Sequence, residues 1–259
     1  MPLRGSGNFR DIGGYPTTEG RTVRTGVVFR SGSLDGLLED DVPVLHSLGV
    51  RAVADLRREP ERAEVTPPWF AASGIAVTQL PIGTRVAHLR SIAEQMISGE
   101  VADFGPDDMV DIYSTLLTHY PAEFGEVFRV IARAEGATVV HCTAGKDRTG
   151  VAVGLLLSFL GVDDATVAED YALSQQYYSM PLLEVLEVRF AERGADLDRV
   201  RAFFEAQAAV MLGLLTDLRN RFGGAAAYLT GPAEVSLEDL ARVRERLLDA
   251  GDRSREEPA

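Results

Sequence analysis

The chain has 259 residues, 46% hydrophobic and 25% charged, the balance of an ordinary globular protein long enough to bury a large core. Its 26 basic and 39 acidic residues leave a formal charge of −13, which disfavours nucleic acid and a bare anionic membrane surface as partners. A single cysteine, Cys142, excludes an intrachain disulfide and a cysteine-based zinc site, and no metal or cofactor is expected.

The opening segment, MPLRGSGNFR, lacks the apolar stretch of a secretory signal. Residues 1–30 carry five Arg against Asp11 and Glu19, a local net of +3 in an acidic chain. Residues 26–30 read as a strand, and Leu37–Leu48 as a helix ended by Gly49. Val50–Leu56 is an apolar, β-branched run, and Ile75–Leu80 a further strand stopped by Pro81. Residues 85–104 read as helix plus loop. Pro106–Thr118 and Pro121–Ala134 each begin with the proline that first helical turns favour. Ala137–His141 is a strand, and Arg148–Leu160 an apolar helix closed by Gly161. Strands alternating with helices predict an α/β fold with a mainly parallel central sheet flanked by helices.

Beyond a short helix over Asp163–Ser174 the pattern becomes helical throughout. Pro181–Glu192 is amphipathic. Leu197, Val200, Phe204, Ala208, Met211, Leu215 and Leu218 recur at steps of three or four, up to Gly223 and Gly224. This pair, about 175–220, reads either as core helices or as a lid over a site. Residues 1–249 form a single domain, and 250–259 read as a disordered tail. The longest near-continuous apolar run, Val151–Val162, falls well short of the ~20 residues of a membrane helix. No integral membrane segment is expected, and the predicted location is the cytoplasm.

The most informative segment is Val139–Gly154, VVHCTAGKDRTGVAVG. A buried strand delivers Cys142 into a polar loop, and an apolar helix begins at once on the far side. Backbone N–H groups and a helix dipole then converge on one small volume suited to a phosphate dianion. Ala144 and Gly145 allow close backbone approach, and Arg148 offers a planar fork for two oxygens. The same field favours a thiolate, so Cys142 is a candidate nucleophile. A nucleotide-binding loop of the G-x-x-x-x-G-K-[ST] type is excluded, because residue 140 is Val and residue 147 is Asp. Of the 26 basic residues, 25 are Arg; the lone Lys is Lys146, inside this loop.

His141-Cys142-x5-Arg148-Thr149 resembles the signature of cysteine-dependent phosphatases. The whole chain resembles the atypical bacterial tyrosine and dual-specificity phosphatases, the mycobacterial type among them. Asn8-Phe9-Arg10-Asp11-Ile12-Gly13-Gly14, Phe29-Arg30-Ser31-Gly32, Asp55-Leu56-Arg57 with Glu59 or Glu61, Asp170-Tyr171 with Leu173-Ser174, and Tyr228-Leu229-Thr230 are similar to that family's motifs. The resemblance implies a cysteine-phosphatase-like sheet and two-step transfer through a cysteinyl-phosphate. In that scheme Cys142 attacks phosphorus, the amides of residues 143–148 and Arg148 hold the oxygens, Thr149 bonds the thiolate and His141 orients the loop. It also leaves export without a cleaved signal open.

Two carboxylates are candidate general acids: Asp147 in the loop, as in myotubularin-type lipid phosphatases, and Asp55 at a strand end, which could equally cap a helix or pair with Arg57 or Arg58. Many related phosphatases carry the acid in a W-P-D triplet. None occurs here, since the one tryptophan is Trp69 in PPWF, and that absence favours Asp147. G-K-x-R-T loops resemble those of phosphoinositide phosphatases, which makes Lys146 a candidate second phosphate contact. A phosphotyrosyl protein ranks first as substrate and a phosphoinositide second. Arg10 and Asp11 are expected to pair and brace the loop. A sulfurtransferase would resemble a shorter C-x4-R loop, a cysteine protease lacks a histidine in a recognisable context, and a non-catalytic binding module would be expected to lose Cys142 or Arg148.

Overall fold

The computed structural model describes residues 3–62, 70, 72–83, 95–96, 98–179, 187–188, 190–192 and 196–250. Five strands form one sheet: β1 Arg10–Asp11, β2 Val28–Ser31, β3 Val50–Asp55, β4 Ala76–Gln79 and β5 Ala137–His141, in the spatial order β1-β2-β5-β3-β4. β1 runs antiparallel to β2 and the other pairings are parallel, as the alternation of strands and helices predicts. The edge strand β1 was not anticipated, because two residues carry no periodicity.

β5 is central and buried along its whole length, ATVVH, as a parallel strand covered on both faces must be. Helix α1, Asp41–Ser47, covers one face, where Leu45 joins Phe29, Val53 and Val139 in a small apolar cluster. The other face carries the main core: α2 Pro106–His119, α3 Pro121–Arg133, α4 Asp147–Leu160, α5 Asp164–Ala172 and α6 Ala208–Phe222. The short helix α7, Ala225–Thr230, and α8, Leu237–Leu247, complete the chain, and Arg24 N–H donates to Leu247 O to tie β-region and C-terminus together. α4 is apolar almost all round because it is buried, and it ends at Gly161 with φ 88°, a left-handed cap that glycine adopts without strain. Among the described residues no helix is long and apolar enough to cross a membrane.

The C-terminal helices correct one expectation. The stretch from Leu197 to Leu218 is not one helix. A helical turn over Arg201–Phe204 stops at Glu205, whose ψ of 165° is extended, and α6 restarts at Ala208. Side chains satisfy the break: Gln175 Oε1 accepts from Ala206 N–H, and Glu205 accepts from Arg201 and Gln207. Ala208–Phe222 is a core helix, with Val210, Met211, Leu214, Leu215 and Leu218 buried. It approaches α4 so closely that a Cβ on Gly154 would lie 2.8 Å from Met211 Sδ. The expected helix over Pro181–Glu192 lies largely outside the described residues, as do 85–94, Trp69 and 251–259.

Candidate active site

Cys142 follows directly on β5 and is buried, and Asp147 opens α4 four residues after Thr143. The intervening loop is shaped by what its carbonyls face. Thr143 O accepts from Ser33 N–H at 2.9 Å. Ala144 O and Gly145 O both accept from Asn8 Nδ2, at 3.2 and 2.9 Å, and Gly145 O also accepts from Arg30 Nη2 at 2.8 Å. A loop with its carbonyls drawn outward turns its N–H groups to the other side, the concave nest that binds anions. Gly145 is required here: its φ is 66°, and a Cβ would lie 2.5 Å from Ser31 O.

The side chains that hold the Ala144 and Gly145 carbonyls belong to one network. Arg30 is fully buried and bonds Asp170 Oδ2 through Nη1 at 2.6 Å. Arg10 reaches Asp170 Oδ1 at 3.3 Å and Asp170 O at 2.7 Å, and also donates to Asn8 Oδ1. Ser174 Oγ accepts from both arginines, and Tyr15 Oη donates to Asp170. Burial works to raise the Asp170 pKa, but the two guanidiniums outweigh it and hold the carboxyl below its ordinary range. Burial and the neighbouring Arg30 lower Arg10 to about 10. The expected Arg10–Asp11 pair is therefore wrong. Arg10 brackets Asp170 with Arg30, while Asp11 accepts from the N–H groups of Gly13 and Gly26. Three sequence motifs far apart in the chain meet here.

At the mouth, Arg148 forms a two-pronged pair with Glu61, both contacts at 2.8 Å. Glu61 also accepts from Arg58 Nε at 2.7 Å and from Thr143 Oγ1 at 2.9 Å. Burial would raise the Glu61 pKa; Arg148 and Arg58 overcome it and push the carboxyl far down. Burial would lower Arg148, but Glu61 and the neighbouring Cys142 raise it, so the guanidinium stays charged.

The model of the tyrosine phosphatase family matches residues 1–249. A tyrosine-protein phosphatase of Nostoc commune is 30% identical over 243 residues, 91% of this chain and 79% of that protein. The triple specificity protein phosphatase PtpB of Mycobacterium tuberculosis is 32% identical over 272 residues, 96% and 93% of the two chains. The crystal structure of P. aeruginosa TpbA covers 70% of this chain and 88% of its own at 18% identity, with a TM-score of 0.34. The chain belongs to the tyrosine phosphatase family. It is a cysteine-dependent phosphoric monoester hydrolase.

The two acid candidates of the phosphatase lie in different surroundings. Asp55, at the end of β3, is buried. Its Oδ1 accepts from Arg57 N–H at 2.9 Å and Nε at 3.0 Å, and its Oδ2 accepts from Nη2 at 2.9 Å. Burial opposes ionisation, yet Arg57 and His141 keep its pKa below the ordinary value. Asp55 is thus the ionised salt-bridge partner of Arg57, with no proton held ready for a leaving group. His141 sits between them and the loop, Nε2 3.6 Å from Asp55 and Nδ1 3.3 Å from Cys142 O; burial pushes its pKa down to about 4 against the pull of Asp55. Asp147 is different. It is partly exposed, and its Oδ1 accepts from Tyr113 Oη at 2.7 Å.

Lys146 points into the protein. Its side chain is buried, and Nζ donates to Phe203 O at 2.7 Å and Glu205 O at 3.1 Å, 3.4 Å from Asp147 Oδ1. The lone lysine caps the helical turn over Arg201–Phe204, which explains where that helix stops. Thr149 Oγ1 is buried without a hydrogen-bond partner among the described residues, so the expected bond to Cys142 is not formed. Sequence reasoning gave Glu61 no more than a motif place and missed Tyr113 altogether. The latter lies on the buried face of α2, where a working hydroxyl and a packing ring look alike.

Proposed function

We propose that the phosphatase hydrolyses phosphotyrosyl proteins with Cys142 as nucleophile, Arg148 and the amides of residues 143–148 as the oxygen clamp, and Asp147 as general acid and then base. The observation that carries this reading is the loop itself: carbonyls drawn outward by Asn8, Arg30 and Ser33 around a buried cysteine, with a clamped arginine at the rim. In the first step the sulfur forms its bond to phosphorus as the bond to the leaving oxygen breaks, and Asp147 protonates that oxygen. In the second, water attacks phosphorus, Asp147 takes its proton, and the thiolate departs. Charge moving onto the equatorial oxygens is met by the loop amides, which are held in place beforehand, and by Arg148 once it exchanges Glu61 for the phosphate.

Two substitutions and a substrate series test this. Cys142→Ser abolishes turnover of every aryl phosphate. Asp147→Asn slows poor leaving groups by ~10²-fold or more and leaves nitrophenyl phosphate nearly unaffected, the signature of general acid catalysis. Native-rate turnover by Cys142→Ser, or equal losses across leaving groups in Asp147→Asn, overturns the respective assignment.

A further inference from the structure

Behind Asp147 lies a short chain of hydroxyls. Tyr171 on α5 and Tyr113 on α2 are both fully buried, and their Oη atoms are 2.7 Å apart. Tyr113 Oη is also 2.7 Å from Asp147 Oδ1. The two rings pack edge to face, with centroids 6.1 Å apart, so core packing fixes both hydroxyls. The direction of the chain follows from a proton count, since each hydroxyl has one hydrogen to give. With Tyr171 donating to Tyr113 and Tyr113 to Asp147, every hydrogen has an acceptor. Run the other way, with Asp147 donating inward, the Tyr171 hydrogen faces no acceptor among the described residues, which a buried hydroxyl tolerates poorly. Burial and the nearby Asp147 charge raise both phenols far above their ordinary range, so they remain neutral donors.

We propose that Tyr113, backed by Tyr171, is a positioning residue for hydrolysis: by donating to Oδ1 of Asp147 it reserves Oδ2 as the oxygen that carries the transferred proton. Lys146 Nζ, 3.4 Å from the same Oδ1, adds to the bias. The inference rests on Asp147 being the acid. Oδ2–H gives its proton to the leaving oxygen as the sulfur–phosphorus bond forms and the ester bond breaks. Oδ2 then takes a proton from water as the new oxygen–phosphorus bond forms and the sulfur is released. Without the Tyr113 donor, the carboxyl turns about its last torsion and the proton settles on either oxygen.

The test compares Tyr113→Phe, Tyr171→Phe, Asp147→Asn and the Tyr113→Phe/Asp147→Asn double variant on nitrophenyl phosphate, phenyl phosphate and a phosphotyrosyl peptide. Tyr113→Phe is expected to lower kcat on phenyl phosphate by about tenfold, part of the ~10²–10⁴ a general acid supplies, with KM and nitrophenyl phosphate turnover essentially unchanged. The double variant is expected to be no slower than Asp147→Asn. Tyr171→Phe gives the same pattern with smaller amplitude, and carries the test if Tyr113→Phe does not fold. Equal loss on all three substrates, or additive loss in the double variant, overturns the proposal. A steep leaving-group dependence in Asp147→Asn with none in Tyr113→Phe overturns it while sparing the acid assignment. A flat response in Asp147→Asn overturns both.

Discussion

Two arginines hold the phosphate loop, one from beneath and one from its mouth, and their surroundings separate support from chemistry. Arg30 is wholly buried, and its terminal nitrogens are committed to Asp170, Ser174 and the Gly145 carbonyl. Both are spent on the protein's own acceptors. Arg148 is clamped by Glu61 in a fork that matches carboxylate and phosphate alike. The floor fixes where the loop's carbonyls go, and the mouth can exchange partners. Breaking each should therefore damage different properties.

The largest effect is expected on the floor. Asp170→Asn leaves Arg30 as a buried, under-compensated charge, which costs about 3–5 kcal/mol. Chemical denaturation measures it, and a loss no greater than that of a surface substitution would show the network to be dispensable. Second comes pH. His141 is held neutral in the fold, with its pKa moved from 6.5 to about 4. A base with a depressed folded pKa contributes stability in full above pH 6.5, and that contribution fades as pH falls towards 4. The shift corresponds to something on the order of 3 kcal/mol. Asp170 and Asp55, depressed carboxylates, stay ionised across this window and lose their contribution only at lower pH. Urea unfolding at pH 7 and 5 should show the decline, and His141→Gln should flatten it.

Much of this was legible in the sequence. The parallel sheet followed from apolar strands alternating with helices, and the loop from Val139 to Gly154 announced its chemistry through residue type and spacing alone. The bracing network was not legible as a network. Asn8, Arg30 and Asp170 stand far apart in the chain, and only the fold, with β1 beside β2, β2 beside β5 and α5 packed on α4, brings them under one loop. Asp55 and Lys146 stayed ambiguous for a shared reason. A charged residue next to a site looks the same in sequence whether it faces the ligand or the protein, and both face the protein. Lys146→Met sharpens this: it frees the Phe203 and Glu205 carbonyls and should cost about 1.5–3 kcal/mol, the range of hydrogen bonds to a charged group. Turnover of phosphotyrosyl peptide and soluble phosphoinositide should fall in the same proportion. A selective loss of phosphoinositide turnover would mean that the lysine swings out to bind it.

The smallest effect is expected at the mouth. Glu61→Gln keeps the size of the side chain and one acceptor oxygen but removes the charge that orients Arg148, Arg58 and Thr143. Arg148 keeps the Leu56 carbonyl as a partner at 3.3 Å and stays near the loop. Stability should therefore change far less than in Asp170→Asn, while kcat/KM falls about tenfold, or ~1.4 kcal/mol of transition-state stabilisation, because the fork is no longer held in one plane. Added phosphate should recover more stability in this variant than in the wild type, since binding to a freed guanidinium counts towards the folded state. If Glu61→Gln instead unfolds the protein as readily as Asp170→Asn does, the mouth is structural after all, and the distinction between the two arginines fails.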